Sequence, residues 1–149
     1  MFNRLAKLRE ERAQGEKGFT LIELLVVVVI IGILIAIAIP LYLNYQKGSH
    51  DKSAESDLRN AVSVLEQCNS DGGAYPAAAV KWTTSGTAPC TGQKISLSGS
   101  SEIDYQPITN GYVVTSTNSD GSGKVYCYDS TAGGSVKSNG DVMNETACK

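Results

Sequence analysis

The sequence predicts an α+β fold in which one long N-terminal helix packs on a small antiparallel sheet closed by two disulfides. Three observations lead there. Residues 24–39 are drawn only from Leu, Val, Ile, Ala and Gly, a run that suits hydrocarbon better than water. An apolar stripe at helical spacing follows, on Ala54, Leu58, Ala61, Leu65 and Cys68. The remainder breaks into short β-rich runs between turn residues, and four cysteines lie on this far side of the apolar run.

The chain opens with a charged leader, residues 1–18, holding Arg4, Lys7, Arg9, Arg12 and Lys17. The excess of cations over Lys47, Lys52 and Arg59 beyond the apolar run predicts a cytoplasmic N-terminus. No small-x-small cleavage site follows the run, where residues 40–45 read Pro-Leu-Tyr-Leu-Asn-Tyr, so the span is expected to be retained. Tyr42 and Tyr45 suit an interfacial anchor at its end.

Within the segment 19–43, residues 24–43 alone reach about 30 Å as a helix, enough to cross a bilayer. Glu23 is the exception in this stretch. A carboxylate inside a membrane segment costs about 3 kcal/mol, so it calls for a cationic partner. Cleavage between Gly18 and Phe19 would supply one, since a new α-amino group four residues before Glu23 would share its helical face. At about 4 Å and an effective dielectric near 20 the attraction is about 4 kcal/mol, comparable with the burial penalty.

The octapeptide Lys17-Gly18-Phe19-Thr20-Leu21-Ile22-Glu23-Leu24 resembles the processing and assembly signature of type IV pilins and pseudopilins. The resemblance implies a pilin-like fold and a prepilin peptidase that cuts after Gly18 and methylates the new N-terminal Phe19. It also implies that Glu23 guides the subunit into a filament by pairing with a neighbour's N-terminus. Phe19 fits the type IVa branch, whereas the leader is longer than that branch commonly carries. Gly32 and Pro40 are helix-weakening residues, and in this family such a stretch can loosen when subunits leave the bilayer.

Beyond Pro40 the helix is amphipathic, with Val62 beside the stripe and Lys52, Glu55, Asp57, Arg59 and Glu66 on other faces. Gly72, Gly73 and Pro76 end it, at about residue 69. Residues 70–93 read as a surface loop, and strands are expected at 94–97, 103–106, 112–117 and 124–129. Asn110-Gly111 marks a hairpin and residues 119–123 a looser turn. The result is a meander whose inner face carries Val113, Val125 and Cys127. The domains are therefore a leader (1–18), a membrane and filament-core helix (19–43) and a globular head (44–149), the head holding a sheet at 94–129 and a disulfide-bounded region at 127–148.

Four cysteines allow three pairings. Cys68–Cys90 with Cys127–Cys148 is favoured, because the first ties the helix end to its loop and the second closes the C-terminal segment onto the last central strand. Pilins similarly close a C-terminal region exposed on the filament surface, which places residues 133–145 there.

Other chemistry finds little support. With no C-x-x-C pair and His50 alone, a zinc site is not expected, and no cofactor is implied. Asp120, Asp129 and Asp141 are turn residues without calcium-loop spacing, although the major pseudopilins of type II secretion bind calcium in a C-terminal loop. Asn144-Glu-Thr146 is an N-glycosylation triplet of low specificity. Gly121-Ser-Gly-Lys124 lacks the first glycine of a phosphate loop and precedes a strand. Scattered tyrosines suit a core rather than a charge path.

No enzyme is expected, nor a nucleic-acid site: removing the leader's five basic and three acidic residues from totals of 13 and 15 leaves 8 and 12, a net charge near −4. The expectation is a type IV pilus subunit, anchored in the cytoplasmic membrane and then exported into a homopolymeric extracellular filament by pilus assembly machinery. Such filaments serve adhesion, motility or DNA uptake. The alternatives are a major pseudopilin of a secretion or competence system, and a membrane-anchored binding domain that never polymerises.

Overall fold

The computed structural model describes residues 18–139, apart from 73, 89 and 91, and Cys148. The leader through Lys17, Asp141 and the Asn144 triplet lie outside the described residues. Helix α1 (Leu21–Gly72) is followed by strands β1 (Val80–Trp82), β2 (Gly86–Thr87), β3 (Lys94–Ile95), β4 (Ser101–Ile108), β5 (Gly111–Asn118), β6 (Val125–Asp129) and β7 (Lys137–Asn139). The chain forms two compact units that divide between Leu41 and Tyr42.

The first unit holds the apolar part of α1. Thr20 caps the helix, its carbonyl accepting the Leu24 amide at 3.3 Å. The helix continues through Gly32 and Pro40 and ends at Gly72, a few residues later than expected. Its side chains from Leu21 to Leu43 are exposed, and the helix is long and apolar enough to cross a membrane.

In the second unit the 3-and-4 spacing of Ala54, Leu58, Ala61, Leu65 and Cys68 places all five on one buried stripe. The stripe packs against Trp82, Ile95, Ile103, Tyr105, Tyr112, Val114 and Tyr126. Burying Leu58 and Leu65 contributes about 2 kcal/mol each, so the polar head has a small but well-filled core. Asp57, expected on a solvated face, is 2% exposed. Its hydrogen bonds, described below, make that burial tolerable.

The main sheet has the order β1-β4-β5-β6-β7 and is antiparallel throughout. The meander holds for β4 to β7. Three short elements were not anticipated. The first is β1, inside the expected loop, which pairs Trp82 with Ile103 on the edge of β4. The second is β2, which takes β3 as its partner and so removes β3 from the main sheet. The third is β7, which pairs with β6. Elements of two or three residues are too short to show a period, so only their pairing reveals them.

The inner face differs from the expected one by a single register step. Val113 and Cys127 cluster with Cys148 on the side away from α1, and the helix meets Tyr112, Val114 and Tyr126 instead. Successive residues point to opposite faces, so a shift by one exchanges the whole set. Strand β5 is buried on both faces, which is why its sequence shows no clean alternation. The hairpin between β4 and β5 turns at Thr109 and Asn110, one residue earlier than expected, since Ile108 pairs with Gly111. Asn110 takes the left-handed conformation (φ 66°), and Gly111 is needed because a Cβ there would collide with the Ser130 side chain.

The disulfides are Cys68–Cys90 and Cys127–Cys148, with Cα–Cα distances of 5.5 and 5.7 Å. The favoured pairing is therefore the observed one. The first bridge fastens the end of α1. The second lies on the outer face of the central strands with Val113 and Ile108.

Candidate functional site

The N-terminal site is built from the first turn of α1. Thr20 and Glu23 stand at the N-cap and N3 positions and form a capping box. Glu23 Oε2 accepts the Thr20 amide at 2.8 Å and the Thr20 hydroxyl at 2.7 Å, while Thr20 Oγ1 accepts the Glu23 amide at 3.3 Å. Negative charge in the first turn also suits the helix dipole. The sequence signal for this box is T-x-x-E ahead of an apolar run, in residues 20–23.

Because the helix begins at Leu21, Phe19 lies ahead of its cap. The pairing expected between a Phe19 amine and Glu23 belongs to the cut chain; in the uncut chain the Thr20 amide is a donor to Glu23. Gly18 is exposed and outside the helix, and among the described residues nothing lies within 4 Å of a Cβ built there. Phe19 is 82% exposed, and Ile22, Glu23, Val26 and Val27 beside it are exposed as well. Gly18, Phe19 and Glu23, the residues expected to take part in processing and assembly, thus fall within six residues at the exposed head of the helix. Gly32 and Pro40 stand further along the same helix and contact none of these groups.

The head is a scaffold fixed by carboxylates on α1. Asp51 accepts the Ser122 amide at 2.9 Å and hydroxyl at 2.5 Å, anchoring the β5–β6 turn. Asp57 does the same for Ser98, ahead of β4. Glu66 accepts the hydroxyls of Tyr112 at 2.7 Å and Tyr75 at 3.0 Å. Burial and then the Glu66 carboxylate push both phenols above their ordinary range. Burial pushes Tyr105 up to about 12.

Tyr75, Tyr105 and Tyr128 surround Tyr112, with ring centroids 4.9 to 5.8 Å from it. These rings fill the core between helix and sheet. Sequence reasoning missed Asp51 and Asp57 as anchors, since their partners lie 71 and 41 residues away.

The glycine-rich turn that superficially suggested a phosphate loop is occupied by its own chain: Ser122 donates to Asp51. Asp129 Oδ1 accepts the amide and hydroxyl of Thr131, and Asn118 Oδ1 accepts the Asp120 amide, so both aspartates sit in ordinary turns. Among the described residues no three His, Cys, Asp or Glu side chains gather into a metal-binding group.

Residues 14–39 match a family described as the prokaryotic N-terminal methylation motif. The chain is similar to the type IV major fimbrial protein FimA of Dichelobacter nodosus, with 44% identity over 52% of this chain and 49% of that protein. A second FimA of the same organism is 40% identical over 66% of this chain and 61% of its own length. The type IV major pilin protein PilE1 of Neisseria gonorrhoeae is 31% identical over 73% of this chain and 57% of its own length. The matches thus span about half to three fifths of these relatives. No solved structure matches.

Proposed function

We propose that this chain, a member of the type IV pilin family by its N-terminal motif and its relatives, is a structural subunit of a type IV pilus. A prepilin peptidase cuts it after Gly18 and methylates Phe19. The processed subunit waits in the cytoplasmic membrane and is then polymerised through α1 into an extracellular filament for surface adhesion, motility or DNA uptake.

One observation carries this reading: an apolar helix face uncovered over its whole length, with a single carboxylate at its head. Such a surface needs lipid or other helices around it. Lipid suits the stored subunit, and identical helices suit the polymer. Repeating a heterologous contact that does not close generates a helical filament. The acid selects the register, because among apolar helices an ammonium group is the partner that lowers its burial cost most. With Phe19 ahead of the helix cap, that ammonium is supplied by a neighbouring subunit. The disulfide at Cys127 and Cys148 ties the head's outer face together and suits a location outside the cell, where no reducing system would open it.

The test is electron microscopy of sheared surface fractions from cells producing the wild-type chain or Glu23→Ala. Wild-type cells should yield thin filaments containing this protein. The variant should accumulate in the membrane without filaments; abundant filaments from it would overturn the reading.

A further inference from the structure

An open cleft of about 470 Å³ lies in the second unit, between the end of α1, the segment 74–77 and the β4–β5 hairpin. Its walls combine apolar and amide groups: Tyr75, Pro76, Pro107 and Ile108 supply the first, Asn69 and Asn110 the second. Each wall is held by its own contacts. The Cys68–Cys90 bridge fastens the helix end beside Asn69. The Tyr75 hydroxyl donates to Glu66 at 3.0 Å and the Tyr105 hydroxyl donates to the Pro76 carbonyl at 2.7 Å, which pins the connecting segment. Asn110 is set by its left-handed turn (φ 66°) and by the β4–β5 register. A cleft whose walls are fixed without a ligand loses little freedom when one arrives.

Among the described residues no charged side chain lines the cleft, and the nearby Glu66 carboxylate is taken by two phenols. The ligand it suits is therefore neutral. Each asparagine carries one acceptor and two donors, and Asn69 places one donor on the Tyr75 hydroxyl; the rest suit hydroxyl groups that both give and take hydrogen bonds. The apolar walls suit a face of C–H groups, whose positive partial charge an aromatic ring face attracts. A sugar ring has both surfaces. We propose that this cleft binds a neutral saccharide unit, its C–H face against Tyr75 and the prolines and its hydroxyls on Asn69 and Asn110. Proline-rich peptides dock in grooves lined by aromatic side chains; this cleft offers one such ring. The inference goes beyond the pilus-subunit reading and does not rest on it, since a single subunit already carries the cleft.

The experiment titrates the full-length, isotope-labelled protein with glucose, galactose, mannose and N-acetylglucosamine in a detergent that has no sugar headgroup. It follows the side-chain amide resonances of Asn69 and Asn110. A few hydrogen bonds on an open surface support a Kd of about 1 mM, so each sugar is taken to about 50 mM. At least one should move both resonances saturably. Asn110→Gly keeps the left-handed turn without the amide and should weaken that binding about tenfold, read at Asn69. Ala77 is an exposed residue of the cleft wall, so it can be enlarged without touching the core, and Ala77→Phe should abolish binding. If no sugar shifts the two resonances, or if the shift survives undiminished in Ala77→Phe, the proposal is wrong. It is equally wrong if N-acetylneuraminic acid binds as well as the neutral sugars, or if only a polyproline peptide moves these signals.

Discussion

The Asp57 carboxylate receives both the amide and the hydroxyl of Ser98, at 2.8 and 2.9 Å, across 41 residues of chain. A buried acid on the helix thus fixes the segment that leads into β4, and with it the start of the sheet. Hydrogen bonds to a charged group are worth about 1.5–3 kcal/mol, and Ser98, being exposed, finds water when the carboxylate is removed. Asp57→Ala should therefore lower the unfolding free energy of the detergent-solubilised protein by about 3 kcal/mol. A change within about 0.5 kcal/mol, the size of an ordinary surface substitution, would show that the contact is incidental.

Gly121 is set against Asp51 in the same way. A Cβ at this position would strike the Asp51 carboxylate while that carboxylate is holding Ser122. Gly121→Ala should cost about 1–3 kcal/mol through overpacking, measured by denaturant unfolding. Gly48→Ala, where a Cβ meets nothing within 4 Å, should be neutral or stabilising in the same assay, since alanine is the better helix former.

The tyrosine cluster predicts an alkaline limit. Folding raises the phenol pKa values, so the unfolded chain loses these protons first, and the protonated phenols' contribution is fully present only below the unfolded value of 10.0. Stability should fall as pH rises from there through the folded value of about 12 for Tyr105. Tyr112, raised by burial and by Glu66, shares the same sign. Tyrosinate absorbance should appear together with loss of the folded circular dichroism signal. Tyrosinate forming at the ordinary phenol pKa with the fold intact would contradict the buried placement.

The Cys68–Cys90 bridge closes a 22-residue separation at the end of α1. Replacing both cysteines with serine should reduce stability by about 3 kcal/mol on the chain-entropy account. Thermal unfolding of the variant should match that of the wild-type protein in which this bridge alone is reduced. A variant as stable as the oxidised wild type would deny the bridge a stabilising role.

Much of the architecture was legible because it is written in long segments. The apolar run shows itself by composition, the stripe ending at Cys68 by helical spacing, and the strand around Val113 by β-prone residues beside the Asn110-Gly111 turn signal. The inner face of the sheet was read one residue out of phase: β5 is buried on both sides, so Val113 and Val114 look alike in sequence. Strands β1, β2 and β7 exist only through their partners. At the N-terminal site, Gly18, Phe19 and Glu23 stand out by residue type and spacing, whereas the role of Thr20 lies in a local motif that the oddity of Glu23 outshone. Asp51 and Asp57 were illegible in principle, because nothing near them in sequence names Ser122 or Ser98.

The most direct test of the central claim is the intact mass of the protein recovered from surface filaments. The account predicts a polypeptide that begins at Phe19 with one added methyl group on its amine. A filament protein that keeps Gly18 and the residues before it would contradict the account.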